Sequence, residues 1–362
     1  MANNNHLVAA YQQLSRQTDK LVLATIIETY GSTYQNTGAR MLIDRNGELT
    51  GLLGGGCFEL DLIEHAQSVF ENGIAKTVFY DMRSPEDAIW GLGLGCNGAV
   101  RIFLQLLTAE DNFSPLNRIA AADKTYESGT LATVIESSYP DIPIGRSLFL
   151  PDYLDRLPVS LPAAAWDLNP AAQQRPRLES HVVGAYAIKI FYDPLQPPSQ
   201  LLVLGAGADA IPVVQCAKAL GWRVTVADHR PGNVKKERFP EADAVLHLSP
   251  QTLENQPEWN RFSAVVLMTH NYDYDQRFLV AIAGTRIPFI GLLGPAQRRA
   301  RLLESLEEAA EQLNGRIFSP VGLDIGAATP EEIALSIVAS IQAELKGRKG
   351  GQFGFKASAL VV

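Results

Sequence analysis

Two cysteines wrapped in glycine carry the strongest chemical signal: Gly54-Gly55-Gly56-Cys57 and Gly91-Leu92-Gly93-Leu94-Gly95-Cys96. Glycine flanks remove the side chains that would shield a sulfur, and they let backbone amides approach a bound group. A thiolate is a nucleophile and a soft ligand, suited to molybdenum, copper(I) or zinc. Beyond the first triplet, Leu60, Ile63, His65, Ala66, Val69 and Phe70 recur at helical spacing. Cys57 is therefore expected at or just before a helix N-terminus, where the dipole and unpaired amides lower a thiol pKa and equally welcome a phosphate. Glu59 is a candidate contact beside it, although acids are common in a first helical turn. Zinc is poorly supported, because there is no CxxC and His65 is the only nearby histidine. Arg40, in Gly38-Ala39-Arg40-Met41, could fork onto a phosphate or end a strand in solvent.

A second constellation lies in the C-terminal half. Gly205-Ala206-Gly207-Ala208-Asp209-Ala210 follows a predicted strand and opens a predicted helix, and Asp228 ends the next strand, 23 positions after Gly205. This is the dinucleotide fingerprint with alanine in its third place. Gly205 permits the tight turn, and Gly207 lets a pyrophosphate reach the helix N-terminus. Asp228 could accept from a ribose hydroxyl, while the adjacent Arg230 blurs any choice of NAD over NADP. The same loop also serves other nucleotides or none. His270 is placed at the carboxyl end of a strand, the edge where open α/β sheets bind ligands. It would be the acid or base of an NAD(P)-dependent oxidoreductase. Asp324, between Gly322 and Gly326, is a candidate ligand contact. Thr329, Pro330 and Glu332 read as an N-cap, first helical residue and capping box. Cys216 falls inside the helix after the fingerprint and reads as packing.

The elements that must position these residues differ between the halves. The first part predicts a helix over 5–18, strands over 21–27, 77–80 and 99–106, a hairpin over 41–53 turned at Asn46-Gly47, and the helix after Cys57. Residues 1–107 are taken as a mixed α+β domain. The middle, 108–199, shows strands at 131–136, 148–150 and 182–192, with connectors at Pro158–Pro162 and Pro194–Pro198, and is expected to complete the N-terminal half. From 200 to 346, strands at 201–204, 223–227, 244–248, 264–269 and 289–293 alternate with helix. That predicts a Rossmann-like, doubly wound parallel sheet. The tail, 347–362, is expected to fray.

The chain has 362 residues, 46% hydrophobic and 19% charged, with a net charge of −8. That balance disfavours nucleic acid and anionic membranes. No apolar run reaches the roughly 18 residues of a membrane span. The N-terminus lacks a basic-then-apolar signal pattern, and three cysteines do not make a disulfide framework. A cytoplasmic location is expected.

Taken together, these segments resemble the XdhC/CoxI family, accessory factors for xanthine dehydrogenase and related molybdenum hydroxylases. The likeness is carried by Gly31-Ser32-Thr33, Gly38-Ala39-Arg40-Met41, Gly55-Gly56-Cys57-Phe58-Glu59 and Gly93-Leu94-Gly95-Cys96. In the second half it is carried by Gly205-Ala206-Gly207, Asp228-His229-Arg230-Pro231, Met268-Thr269-His270, Ile290-Gly291-Leu292-Leu293-Gly294 and Gly322-Leu323-Asp324-Ile325-Gly326. The resemblance implies an N-terminal XdhC-type domain and a C-terminal Rossmann domain. It implies binding of molybdenum cofactor (molybdopterin), protection of it during sulfuration by a cysteine desulfurase, and delivery to an apo molybdenum hydroxylase. Cys57 would hold the cofactor, at molybdenum, with the glycine loops around Gly56 and Gly207 cradling its phosphate-bearing end. Such a protein is a carrier rather than an enzyme, and a homodimer is its expected assembly. Three positions depart from the family pattern: Gln35-Asn36 where basic residues are common, Leu53-Gly54 where a serine often stands, and Ala208 where histidine is frequent.

Overall fold

The computed structural model describes residues 5–56, 58–83, 98–150, 175–253, 257–306 and 308–351. Cys57, Cys96 with its glycine loop, the stretch Pro158–Pro162 and all but the start of the tail lie outside the described residues. The chain forms two compact units, Met1–Pro198 and Ser199–Val362.

The first unit is built on two antiparallel sheets. One comprises β1 (Lys20–Gly31), β2 (Arg40–Ile43), β3 (Leu49–Gly51), β4 (Lys76–Asp81) and β5 (Gly98–Thr108), in the order β3-β2-β1-β5-β4. The other comprises β6 (Gly129–Ser137), β7 (Ser147–Leu150), β8 (Arg177–Val183) and β9 (Tyr186–Leu195), in the order β7-β6-β9-β8. β1 reads as one long apolar run because both its faces are covered. Val22, Ala24 and Ile26 face helix α2 (Glu59–Asn72) through Leu62, Ala66 and Val69. Leu21 and Leu23 face α1 (Asn5–Leu14), α3 (Leu116–Thr125) and the second sheet.

Two expectations change here. The single strand expected over 182–192 is a hairpin, folded at Gly184 with φ of +63°. One glycine between apolar residues is weak punctuation, so the two strands merge on paper. The stretch Pro194–Pro198 is not all connector, since Pro194 and Leu195 still pair with β6. α3 has no counterpart in the sequence reading; its buried face is only Leu116, Ile119 and Ala122.

The second unit is a six-stranded parallel sheet. Its strands are β10 (Gln200–Leu204), β11 (Arg223–Asp228), β12 (Ala244–His247), β13 (Ala264–Leu267), β14 (Phe289–Leu292) and β15 (Ile317–Phe318), in the order β12-β11-β10-β13-β14-β15. Alternation within β10 supplies both layers. Leu201 and Val203 join the core under α4 (Ala210–Ala219) and α9 (Pro330–Leu345). Leu202 and Leu204 join the core under α6 (Tyr272–Ala283), α7 (Ala296–Glu304) and α8 (Glu308–Leu313). A strand covered on both faces is apolar throughout. The short α5 (Pro250–Leu253) follows β12. This is the doubly wound Rossmann arrangement expected from the sequence, with its switch point between β10 and β13. α9 begins as predicted: Thr329 caps it, Pro330 opens it, and Glu332 closes the capping box. Cys216, on α4, packs against the core under that helix.

Candidate functional site

The loop before α2 is organised by Glu59. Its Oε1 accepts from the Gly54 amide at 2.8 Å, and its Oε2 from the Gly56 and Phe58 amides at 3.0 and 3.2 Å. The side chain is buried. The sequence reading left those amides for a phosphate and Glu59 for a ligand; the structure satisfies each with the other. An internal carboxylate thus does the work of an external anion at this helix start. Gly55 and Gly56 both have positive φ, and a Cβ on Gly56 would meet nothing within 4 Å among the described residues. Asp61 accepts from the Tyr80 hydroxyl at 2.6 Å, and the Tyr80 ring stacks on Phe58. Burial and then Asp61 push the Tyr80 phenol above its ordinary range.

Arg40 is not a surface phosphate hook. It opens β2, is buried, and its guanidinium pairs with Asp193 on β9. Burial pushes the Asp193 carboxyl up, against the pull of Arg40.

In the second unit, Gly205 makes the turn after β10 at φ +128°, and a Cβ there would overlap the Met268 carbonyl. Asp228 is buried and does not face an open ribose site. It accepts from the Ala206 amide at 2.8 Å and from the Arg230 amide at 2.8 Å. The Arg230 guanidinium forks onto it at 2.9 and 2.8 Å. Burial alone would raise its pKa, but Arg230 and the two amides hold it well below the ordinary carboxylate range. The carboxylate the sequence offered to a sugar therefore ties the glycine turn to the end of β11.

His270 has φ +56°, uncommon for a residue other than glycine, and its Nε2 lies 2.8 Å from Asp209 Oδ2. Asp209 folds its carboxylate over Gly207, where a Cβ would strike it. Both line a cavity of about 320 Å³ at the carboxyl edge of the sheet, with Asp275 and Arg298 at its polar side. Thr269 donates to Asp275 Oδ1 at 2.6 Å, and Arg298 donates to Asp275 Oδ2 at 2.7 Å. Asp324 is exposed and is not part of this lining. Asp209, Asp275 and Arg298 escaped the sequence reading. Asp209 alone left a signal, an acidic residue inside the phosphate loop.

Among the described residues no group of three or more His, Cys, Asp and Glu is placed to hold a metal ion. Nor is any described helix long and apolar enough to cross a membrane.

Comparison with known proteins bears on the whole chain. The model of the XdhC and CoxI family matches residues 14–81, and that of the XdhC Rossmann domain matches residues 201–341. The chain is 31% identical over 330 residues to a Bacillus subtilis (strain 168) protein named as a probable xanthine dehydrogenase subunit, covering 91% of this chain and 94% of that protein. It is 22% identical over 324 residues to the molybdenum cofactor insertion chaperone PaoD of Escherichia coli (strain K12), covering 88% and 82%. A crystal structure of a xanthine dehydrogenase from Bacillus halodurans matches with a TM-score of 0.76 at 29% identity, covering 94% of this chain and 96% of that one. Two family models in the expected order, and a relative aligned almost end to end, place the chain in the XdhC and CoxI family.

Proposed function

We propose that this chain carries molybdenum cofactor to an apo molybdenum hydroxylase of the xanthine dehydrogenase type, and shields it during sulfuration by a cysteine desulfurase in the cytoplasm. The observation that carries the reading is the near full-length relationship to a Bacillus subtilis protein named for xanthine dehydrogenase, supported by the similarity to PaoD, named as a molybdenum cofactor insertion chaperone.

The residues around position 57 suit that cargo in one respect. Cys57 is the thiol we assign to the metal, and the neighbouring Gly56 backbone carries no side chain and, among the described residues, meets no neighbour where one would be. They do not suit it in another: the Gly54, Gly56 and Phe58 amides are taken by Glu59, so the phosphate-bearing end is held by other groups. In its client enzyme the cofactor supplies a redox-active metal; in a carrier, this chain's residues need only bind it and exclude water.

The test is mass spectrometry of material released by denaturing protein purified from cells that make the cofactor. Wild type is expected to release molybdopterin. Cys57→Ala is expected to lose it while keeping its unfolding transition. Wild-type protein free of molybdopterin would overturn the carrier reading, and equal retention by Cys57→Ala would remove Cys57 from the site.

A further inference from the structure

We infer that Tyr80 is a positioning residue for the loop that carries Cys57: its ring, tied to α2 through Asp61, holds Phe58 against Gly54 and so keeps the two ends of that loop together.

The clamp draws on three separate places in the sequence. Phe58 is buried, and its ring lies so near Gly54 that a Cβ there would come within 2.4 Å of it. Gly54 is not among the glycines with positive φ, so the ring rather than the backbone requires glycine at that position. The Phe58 ring stacks on Tyr80 of β4, with 4.6 Å between centroids and 13° between planes. Tyr80 is oriented in turn. Its hydroxyl donates to Asp61 Oδ2 at 2.6 Å, and the same oxygen lies 3.4 Å from His65 Nε2. His65 Nδ1 lies 3.0 Å from Lys76 Nζ at the start of β4. Burial and Asp61 push the phenol up, so it stays protonated and remains a donor at neutral pH.

Gly55, Gly56 and Cys57 are the residues between the two ends that this contact brings together. A short loop closed at its ends loses most of its freedom. Two independent devices therefore act on it. Glu59, from α2, takes amides of the loop. Tyr80, from β4, holds the ring that closes it. Packing alone predicts that loss of the Tyr80 ring loosens the whole unit. Positioning predicts a change centred on the loop, reproduced from Gly54 with Tyr80 left intact.

The consequence for cargo rests on the carrier reading; the clamp does not. The test pairs hydrogen exchange in a peptide spanning residues 53–60 with molybdopterin released per mole of purified full-length protein. Tyr80→Leu is expected to speed that exchange and lower the retained molybdopterin, each by about two- to tenfold, the scale of one aromatic pair. Peptides from β1 and β5 are expected to keep their protection. Tyr80→Phe keeps the ring and is expected to restore retention. Gly54→Ala drives a methyl group into the Phe58 ring and is expected to reproduce Tyr80→Leu; it carries the test alone if Tyr80→Leu fails to fold. The double variant is expected to lose little more than either single one, because both displace the same ring. Unchanged loop exchange in Tyr80→Leu and Gly54→Ala, additive losses in the double variant, or full retention despite faster exchange would each overturn the inference. Wild-type protein free of molybdopterin would overturn the carrier reading instead and leave the exchange to decide the clamp.

Discussion

Arg40 and Asp193 form an ion pair between β2 and β9, joining the two sheets of the first unit with 3% and 6% of their side chains exposed. Removing one partner strands the other charge away from water. Asp193→Ala is therefore expected to destabilise the first unit by about 3–5 kcal/mol, read as a fall in the urea midpoint. Replacing both, Arg40→Met with Asp193→Leu, is expected to recover most of that loss, since well-packed apolar pairs often substitute for buried ion pairs. A single variant that loses bound cofactor at an unchanged midpoint would instead return Arg40 to a ligand role.

Glu59 holds three loop amides at once. Glu59→Ala is expected to release them and to speed hydrogen exchange in a peptide spanning residues 53–60. The loss should amount to about 1–3 kcal/mol, seen as a slowly exchanging loop becoming a fast one while α2 stays protected. Unchanged exchange would mean that water or another side chain takes over the amides.

The parallel sheet was legible because β10, β11 and β13 are apolar runs separated by helical lengths, and the fingerprint marked where β10 ends. The capping box at Thr329 was legible because a cap is written in four consecutive residues. The ion pair of Arg40 was not, since its partner is 153 positions away and reaches it only through the packing of two sheets. The Asp209–His270 contact escaped for the same reason; 61 residues separate them, and the parallel register of β10 and β13 brings their loops together. Glu59 stands out in the sequence, but nothing in a first-turn acid says whether it points to a guest or back to its own backbone. Cys57 and Cys96 lie outside the described residues.

The Asp228 network carries a pH signature. Its folded carboxyl sits below the value of 3.8 that an unperturbed aspartate shows. A depressed folded pKa contributes stability that is fully present above the unfolded pKa and is lost as pH falls through the folded one. The second unit is therefore expected to melt at a constant temperature from neutrality to about pH 4 on this group's account, and at falling temperatures below that. Asp228→Asn should flatten the acid limb of a calorimetric series and lower the plateau.

Gly205→Ala tests the turn itself. The φ of +128° and the overlap with the Met268 carbonyl leave no room for a methyl group. Backbone strain alone is expected to cost about 1–3 kcal/mol, and chain displacement adds to it. Thermal melting of the second unit is the measurement; an unchanged melt would mean that the turn relaxes at little cost.

Each of the two described glycine loops is laced to a carboxylate from its own unit, Glu59 in one and Asp228 in the other. In both, described loop amides already have partners within the fold. An external anion at either loop would first have to displace a carboxylate that the fold already supplies.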